Sequence, residues 1–176
     1  MFAVGANVTS YQNTGLLDNT MYTYRVYAYN ADGQSPYSNA ASATTHSNIG
    51  QGKAASASST QSGKPASMGN DGSTTTRWCA SNGSVPQWWK VDLGSSRTIS
   101  GSEVMWEKSG VIYKYRVQTS TDNVNWTTRV DKTSNTSTAQ IQSHSFSATA
   151  RYARIYVTSL PSGTWASLYE FRVFGQ

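Results

Sequence analysis

The feature that most limits what this chain can fold into is a two-residue alternation that recurs along its length. In Trp89-Lys90-Val91-Asp92-Leu93 and in Tyr22-Thr23-Tyr24-Arg25-Val26, apolar and polar side chains change places at every step. Successive side chains of a strand point to opposite faces, so runs like these describe half-buried strands and not amphipathic helices, whose apolar positions recur three and four apart. In the longer C-terminal part the pattern predicts strands over 88–93, 98–106, 113–119, 125–131, 139–146, 151–158 and 168–174. Turn signals separate them, among them Asp122-Asn123-Val124-Asn125 and Ser159-Leu160-Pro161-Ser162-Gly163. Composition points the same way. Charged residues make up only 13%, and Leu, Glu and Lys are too sparse for long surface helices, whereas the abundant Tyr, Trp and Thr suit a pleated half-buried surface. The expected class is all-β, an antiparallel sandwich or barrel with almost no helix.

The first 45 residues form a separate region. Tyr22 to Asn30 alternates, Ala31-Asp32-Gly33-Gln34 supplies an Asp-Gly turn, and Ser38 to Thr45 is a second extended segment. Gly15-Leu16-Leu17, the spacing to Tyr22, the Tyr-x-Val-x-Ala-x-Asn run and Gly33-Gln34-Ser35 resemble the trailing half of a fibronectin type III domain. The resemblance implies a tyrosine corner at Tyr22, whose phenol bonds back to the preceding turn. Half a sandwich exposes its inner face, so this region is expected to dock, to pair with another chain, or to be marginally stable. Residues 46–52, polar and Gly-rich, are expected to be a linker, and 53–176 the main domain.

Four patterns follow one another in that main domain: Asp71-Gly72-Ser73-Thr74-Thr75-Thr76-Arg77-Trp78; Trp89-Lys90-Val91-Asp92-Leu93-Gly94; Tyr115-x-Val-x-Thr-Ser-x-Asp-x-x-x-Trp126; and Ala150-Arg151-Tyr152-Ala153-Arg154-Ile155, followed by Leu168 to Gly175. Together they resemble the coagulation factor 5/8 type C, or discoidin, family over about residues 48–176, and most closely its bacterial branch, the carbohydrate-binding modules of family 32. The resemblance implies a discoidin-like antiparallel β-sandwich of jelly-roll type that binds without catalysis.

The single cysteine, Cys79, rules out an intrachain disulfide, so any staple must come from elsewhere. A bound cation is the candidate. Asp71 offers a hard oxygen ligand, Gly72 a sharp turn that lets carbonyls converge, Thr76 further oxygens, and Glu170 a carboxylate from the last strand. By resemblance this is a structural Ca²⁺ site, with Asp71, Thr76 and Glu170 binding through side chains, Thr76 also through its carbonyl, and Met68, Ser73 and Tyr169 through carbonyls. On the residues alone, a second reading has Asp71 capping a turn.

Trp78, Trp89 and Trp126 match core positions of the family and are expected to pack inside. The ligand is expected at loops gathered at one end. Trp165 lies outside any alternating run, and Trp106-Glu107-Lys108 leads into a loop that closes at Tyr113. Sugars present apolar C–H faces that stack on rings and hydroxyls that need polar partners, which suits an indole beside Glu and Lys. Gln61 and residues 81–84 are further candidates for this rim. The bland alternatives are an idle loop indole at Trp165 and a surface ion pair between Glu107 and Lys108.

Galactose is disfavoured, because the histidines stand only at His46 and His144, away from the loops where galactose-binding relatives place one. Polysaccharide of glucan or chitosan type is the expected partner. In residues 1–45 Arg25 stands against Asp18 and Asp32, a balance of −1, so of the overall +5 the remainder carries +6. Those cations are scattered singly along strands, which argues for a solvated face and against nucleic acid. Lipid binding or cell-surface adhesion is the alternative function, although Ile112 and Trp165 are its only apolar spikes. No apolar stretch is long enough to cross a bilayer and no signal peptide stands at the N-terminus. The chain is therefore expected to be a secreted, monomeric fragment of a multidomain glycoside hydrolase. No paired carboxylates, Ser-His-Asp arrangement or phosphate loop suggests turnover.

Overall fold

The computed structural model describes residues 2–11, 13, 16, 17 and 20–176. The chain divides into two compact units, Met1–His46 and Ser47–Gln176.

In the first unit, β1 (Met21–Tyr24) pairs antiparallel with β4 (Ala41–Thr44), and β2 (Tyr29–Asn30) with β3 (Gly33–Gln34) at the tip of the same hairpin. The expected continuous strand from Tyr22 to Asn30 is interrupted between β1 and β2 for a local reason. Ser38 Oγ accepts from Val26 N at 3.0 Å and Ser35 Oγ from Ala28 N at 2.9 Å, so side-chain oxygens stand where ladder carbonyls would. The Tyr22 hydroxyl accepts from Leu17 N at 3.0 Å. No described residue of 2–46 is buried.

The second unit holds β5 (Ser47–Asn48), β6 (Ala55–Ala57), a 3-10 turn (Ala66–Gly69), β7 (Trp78–Cys79), β8 (Gln87–Trp106), β9 (Lys114–Ser120), β10 (Thr127–Lys132), β11 (Ile141–Ser159) and β12 (Ser167–Gly175). All pairings are antiparallel, in the order β10-β9-β11-β8-β12-β5, with β6 also on β8 and β7 on β12. Two long strands replace four expected short ones. The first halves of β8 and the last halves of β11 build one layer with β6, β9 and β10, and the remaining halves build the other with β12. The strands bend where Asp92 faces Tyr152 and Arg97 faces Ala150, so that four residues of β8 oppose Arg151 alone. Arg151 clamps this corner with a bidentate bond to Asp92, at 2.7 and 2.8 Å.

The expected linker over 46–52 is corrected from residue 47 onward. Ser47 and Asn48 pair with Gly175 and Phe174, Ile49 packs on the core and Gly50 is buried, so the segment belongs to the second unit. Asn70 holds it there by donating to the carbonyls of Gly50 and Lys53.

Between the layers lie the fully buried Trp78, Trp89, Trp106, Tyr113, Tyr115 and Phe171. Trp89 and Val91 point inward as their alternation predicts; the indole meets Phe171 edge-on at 5.7 Å and donates to the Ala66 carbonyl at 2.7 Å. Gly69 makes that approach possible, since a Cβ there would come within 2.6 Å of Trp89 Nε1. Trp126 departs from expectation. It lies on the outer surface, its ring 4.0 Å from the Arg154 guanidinium.

Candidate functional site

Four connections meet at one end of the sandwich, and backbone bonds fix their relation. Ser167, the first residue of β12, pairs with Cys79; Cys79 O accepts from Gln61 N at 2.8 Å, and Ser167 O accepts from Glu107 N at 3.2 Å. Gln61, the 77–84 segment, the loop after β8 and the loop before β12 are thereby brought together. Gln61 is half-buried in a tight turn closed by its bridge to Lys64. Trp165 stands on the last of these loops with 38% of its surface exposed, between the buried Thr164 and Ala166. The chain at Gly83 passes beside its indole, where a Cβ would lie 3.3 Å from Trp165 Cδ1. The indole is thus flanked by buried neighbours in sequence, with its Cδ1–Nε1 edge toward the chain at Gly83.

Glu107 reaches this rim as expected, but its partner is Arg77 and not Lys108: Arg77 Nε lies 3.2 Å from Glu107 Oε1, with the two side chains 27% and 21% exposed. The distance makes an ion pair, yet Arg77 Nε does not reach hydrogen-bond geometry and has no other partner. Lys108 is exposed. Arg77 is the residue the sequence reading missed as a rim group, although its neighbour Trp78 faces the core and alternation therefore turns Arg77 outward.

Trp106 and Tyr113, expected to touch ligand, are corrected. Both are fully buried, their rings stacked at 4.1 Å and 3° with Tyr115 edge-on at 5.1 Å. They form the floor under the rim. Burial, with Glu107 nearby, pushes the Tyr113 phenol up to about 12, and its hydroxyl faces the Lys108 N–H without reaching hydrogen-bond geometry. Cys79 is buried beside Ser167, Arg77 and Glu107, and burial raises its thiol above the usual range, which keeps it protonated. His144 is bonded to the Tyr115 hydroxyl at 2.8 Å.

A second constellation lies at the 71–76 loop. Asp71 Oδ1 accepts from Ser73 N at 2.9 Å and Asp71 Oδ2 from Thr76 Oγ1 at 2.7 Å. Gly72 has φ of +85°, and its N–H donates to Glu170 Oε1 at 2.8 Å, which ties this loop to β12 across 98 residues of sequence. Glu170 is 1% exposed and its Oε2 is buried without a partner. Burial raises its carboxyl above the ordinary range, and Asp71 adds to that by repulsion. Tyr169 is the extra residue of a bulge, since Leu168 faces Trp106 and Glu170 faces Met105. Met68 lies in the 3-10 turn just before this loop. Among the described residues no three His, Cys, Asp or Glu side chains gather at one place, so any ion held here would draw largely on hydroxyl and carbonyl oxygens.

A bent two-layer antiparallel sandwich whose connecting loops gather at one end is a β-sandwich module. Residues 54–171 match the F5/8 type C domain, and the chain belongs to that family. Its structural neighbours are family 32 carbohydrate-binding modules, a family of non-catalytic binding domains. Chitosan-binding module 1 of a chitosanase/glucanase from Paenibacillus sp. IK-5 is 37% identical, with a TM-score of 0.66 over 74% of this chain and 100% of that one. Module 2 of the same enzyme, in complex with chitotriose, is 32% identical with a TM-score of 0.65 over 73% and 100%. A Clostridium perfringens CBM32 module in complex with GlcNAc-α-1,4-galactose is 25% identical with a TM-score of 0.68 over 76% and 96%. No curated protein matches the chain.

Proposed function

We propose that the second unit binds a polysaccharide of glucan or chitosan type at the rim formed by Trp165, Glu107, Arg77 and Gln61, as an accessory module of a secreted glycoside hydrolase. The observation that carries this reading is the exposed Trp165 indole, fixed on a short loop beside a half-exposed ion pair whose Arg77 Nε lacks a hydrogen bond. Apolar sugar faces stack on the ring while hydroxyls bond the guanidinium and carboxylate. The identity to chitosan-binding modules of a chitosanase/glucanase supports both the ligand class and the kind of parent enzyme. Such a shallow site binds one sugar chain weakly, and tandem modules gain by avidity. Residues 1–45 fit the trailing part of a fibronectin type III spacer, with the Leu17–Tyr22 bond in the place of a tyrosine corner.

The 71–76 loop and β12 suit a structural Ca²⁺. The fit rests on the buried, partnerless Glu170 Oε2 facing Asp71 and on an all-oxygen donor set, which favours a hard cation. Asp71, Thr76 and Glu170 would hold it by side chains, with carbonyls of Met68, Ser73, Thr76 and Tyr169. Bound there, an ion would supply positive charge to offset the Asp71 and Glu170 carboxylates, and these residues would then cross-link the 71–76 loop to the last strand.

Retention of the full chain on insoluble glucan, chitin, chitosan and anionic liposomes tests the rim. Trp165→Ala and Glu107→Ala should each weaken retention on one polysaccharide about tenfold or more while the protein still melts as the parent does. Unchanged retention in both variants, or retention by liposomes alone, overturns the reading.

A further inference from the structure

The outer face of the β9-β11-β8 layer carries a second set of rings and cations that the rim does not use. Alternation fixes its membership: with Trp89, Val91, Ile155, Val157, Tyr115 and Val117 buried inward, their neighbours Trp88, Lys90, Arg154, Tyr156 and Arg116 face out. Register then sets them in rows. Tyr156 lies opposite Trp88 on one side and Arg116 on the other, and in the next row Arg154 lies opposite Lys90 and Gln118. Strands are about 4.8 Å apart, so each row crosses roughly 10 Å of flat sheet.

Like charges placed directly opposite on neighbouring strands destabilise a sheet, which makes the Lys90–Arg154 pair a costly arrangement. Neither has a carboxylate within ion-pair distance among the described residues, whereas Arg116 and Arg151 on the same face are paired with Asp131 and Asp92. Rings take the place of counter-ions. Arg154 lies 4.0 Å from the Trp126 ring and 5.0 Å from Tyr156, with its Nε donating to Gln118 Oε1 at 2.7 Å; Lys90 Nζ lies 5.1 Å from Trp88 and donates to Asn123 Oδ1 at 2.7 Å. Asp92, two positions along the strand from Lys90, attracts it without coming within ion-pair distance, so the two cations are held between rings and amide oxygens and neither forms an ion pair with a carboxylate among the described residues.

We propose that this sheet face is a second binding surface, for an acidic polysaccharide of the hexuronate class, with sugar rings against Trp88 and Tyr156 and carboxylates at Lys90 and Arg154. Charge complementarity selects this occupant. A polyuronate brings carboxylates at sugar-length intervals together with apolar ring faces, matching two unpaired cations flanked by aromatics. The denser phosphates of a nucleic acid would run onto Asp92 and Asp131, and the strongly exposed aliphatic side chain beside this face, Val124 next to Asn123, stands alone, whereas insertion into a lipid surface draws on a cluster of such groups. The surface is independent of the Trp165 rim.

Calorimetric titration of the full chain with an oligogalacturonate, and in parallel with a neutral oligoglucan, tests the assignment. The oligogalacturonate should bind with an affinity that falls as salt is added, and Lys90→Gln and Trp88→Ala should each weaken it about tenfold. Trp165→Ala should leave that binding within about twofold. Lys90→Gln keeps a polar, unbranched side chain at an outward position, so its effect can be read even if Trp88→Ala fails to fold. The proposal is overturned by an oligogalacturonate that does not bind, by one that binds Lys90→Gln as tightly as the parent, by loss of its binding in Trp165→Ala, or by RNA or anionic vesicles binding this face in its stead. Loss of glucan binding in Trp165→Ala with oligogalacturonate binding intact leaves the rim and the sheet face as two separate sites.

Discussion

The same short pattern occurs once in each unit, as Tyr22-x-Tyr24-x-Val26 and as Tyr113-x-Tyr115-x-Val117, and the two copies have opposite fates. In the second unit all three side chains are fully buried, whereas in the first Val26 is 70% exposed and Tyr24 41%. Alternation therefore decides that a segment is a strand and which side chains share a face. It does not decide whether that face is covered. Coverage comes from a second layer, which β12 and the bent halves of β8 and β11 supply in the second unit, and which no described element supplies within the first.

The most severe test of this contrast is amide exchange. The β8 and β11 amides should open only with global unfolding, which for a domain of this size costs about 5–15 kcal/mol, and those of β1 and β4 should exchange through openings of about 2 kcal/mol or less. Equal protection in both units would break the comparison outright. Side-chain truncation sharpens it next. Trp89→Ala, which removes a fully buried ring touching Phe171, should cost about 3–5 kcal/mol in denaturant unfolding. Val26→Ala should change the same transition by less than about 0.5 kcal/mol.

Calcium comes third. If an ion links the 71–76 loop to Glu170, saturation at about a thousandfold above its dissociation constant stabilises the second unit by about 4 kcal/mol. Chelation should then lower its melting temperature by roughly 10 °C, taking about 2–4 °C per kcal/mol for a domain of this size. Glu170→Gln should abolish the calcium response and leave the first unit's exchange unchanged. A melting curve indifferent to both chelator and added calcium would remove the staple from the account.

What could be read beforehand follows the same division. The inward direction of Trp89, Val91 and Leu93 was legible, because alternation is a local property of the backbone. The same parity was available for Trp106, which shares a face with Val104, and for Tyr113, which shares one with Tyr115 and Val117; all five are buried. Treating Trp106 and Tyr113 as loop-facing ligand contacts overrode that signal. Trp165 has no parity to read, and its exposure depends on how Thr164 and Ala166 are pinned. The bend of β8 was illegible for another reason: Gly94-Ser95-Ser96 reads as a turn, and only the opposing Arg151–Asp92 clamp shows that one strand continues through it. Arg77 and Glu107 are 30 positions apart, and their pairing needed the Cys79–Ser167 register to bring their segments together.

The smallest effect is expected at Tyr22, and there the comparison can be made most exact. Its hydroxyl accepts from Leu17 N at 3.0 Å in a region where no described side chain is buried. Water competes for both groups there, so the bond contributes about 0.5–1.5 kcal/mol and nothing more. Tyr22→Phe should therefore speed exchange of the Leu17 amide and of β1 by about tenfold at most, and should leave the second unit's melting temperature within a degree of the parent's. A larger loss would mean that the Tyr22 phenol organises the whole hairpin, as a core residue would. A shift in the second unit's melting would mean that the two units are energetically coupled, and the exposed face of the first would then have a cover after all.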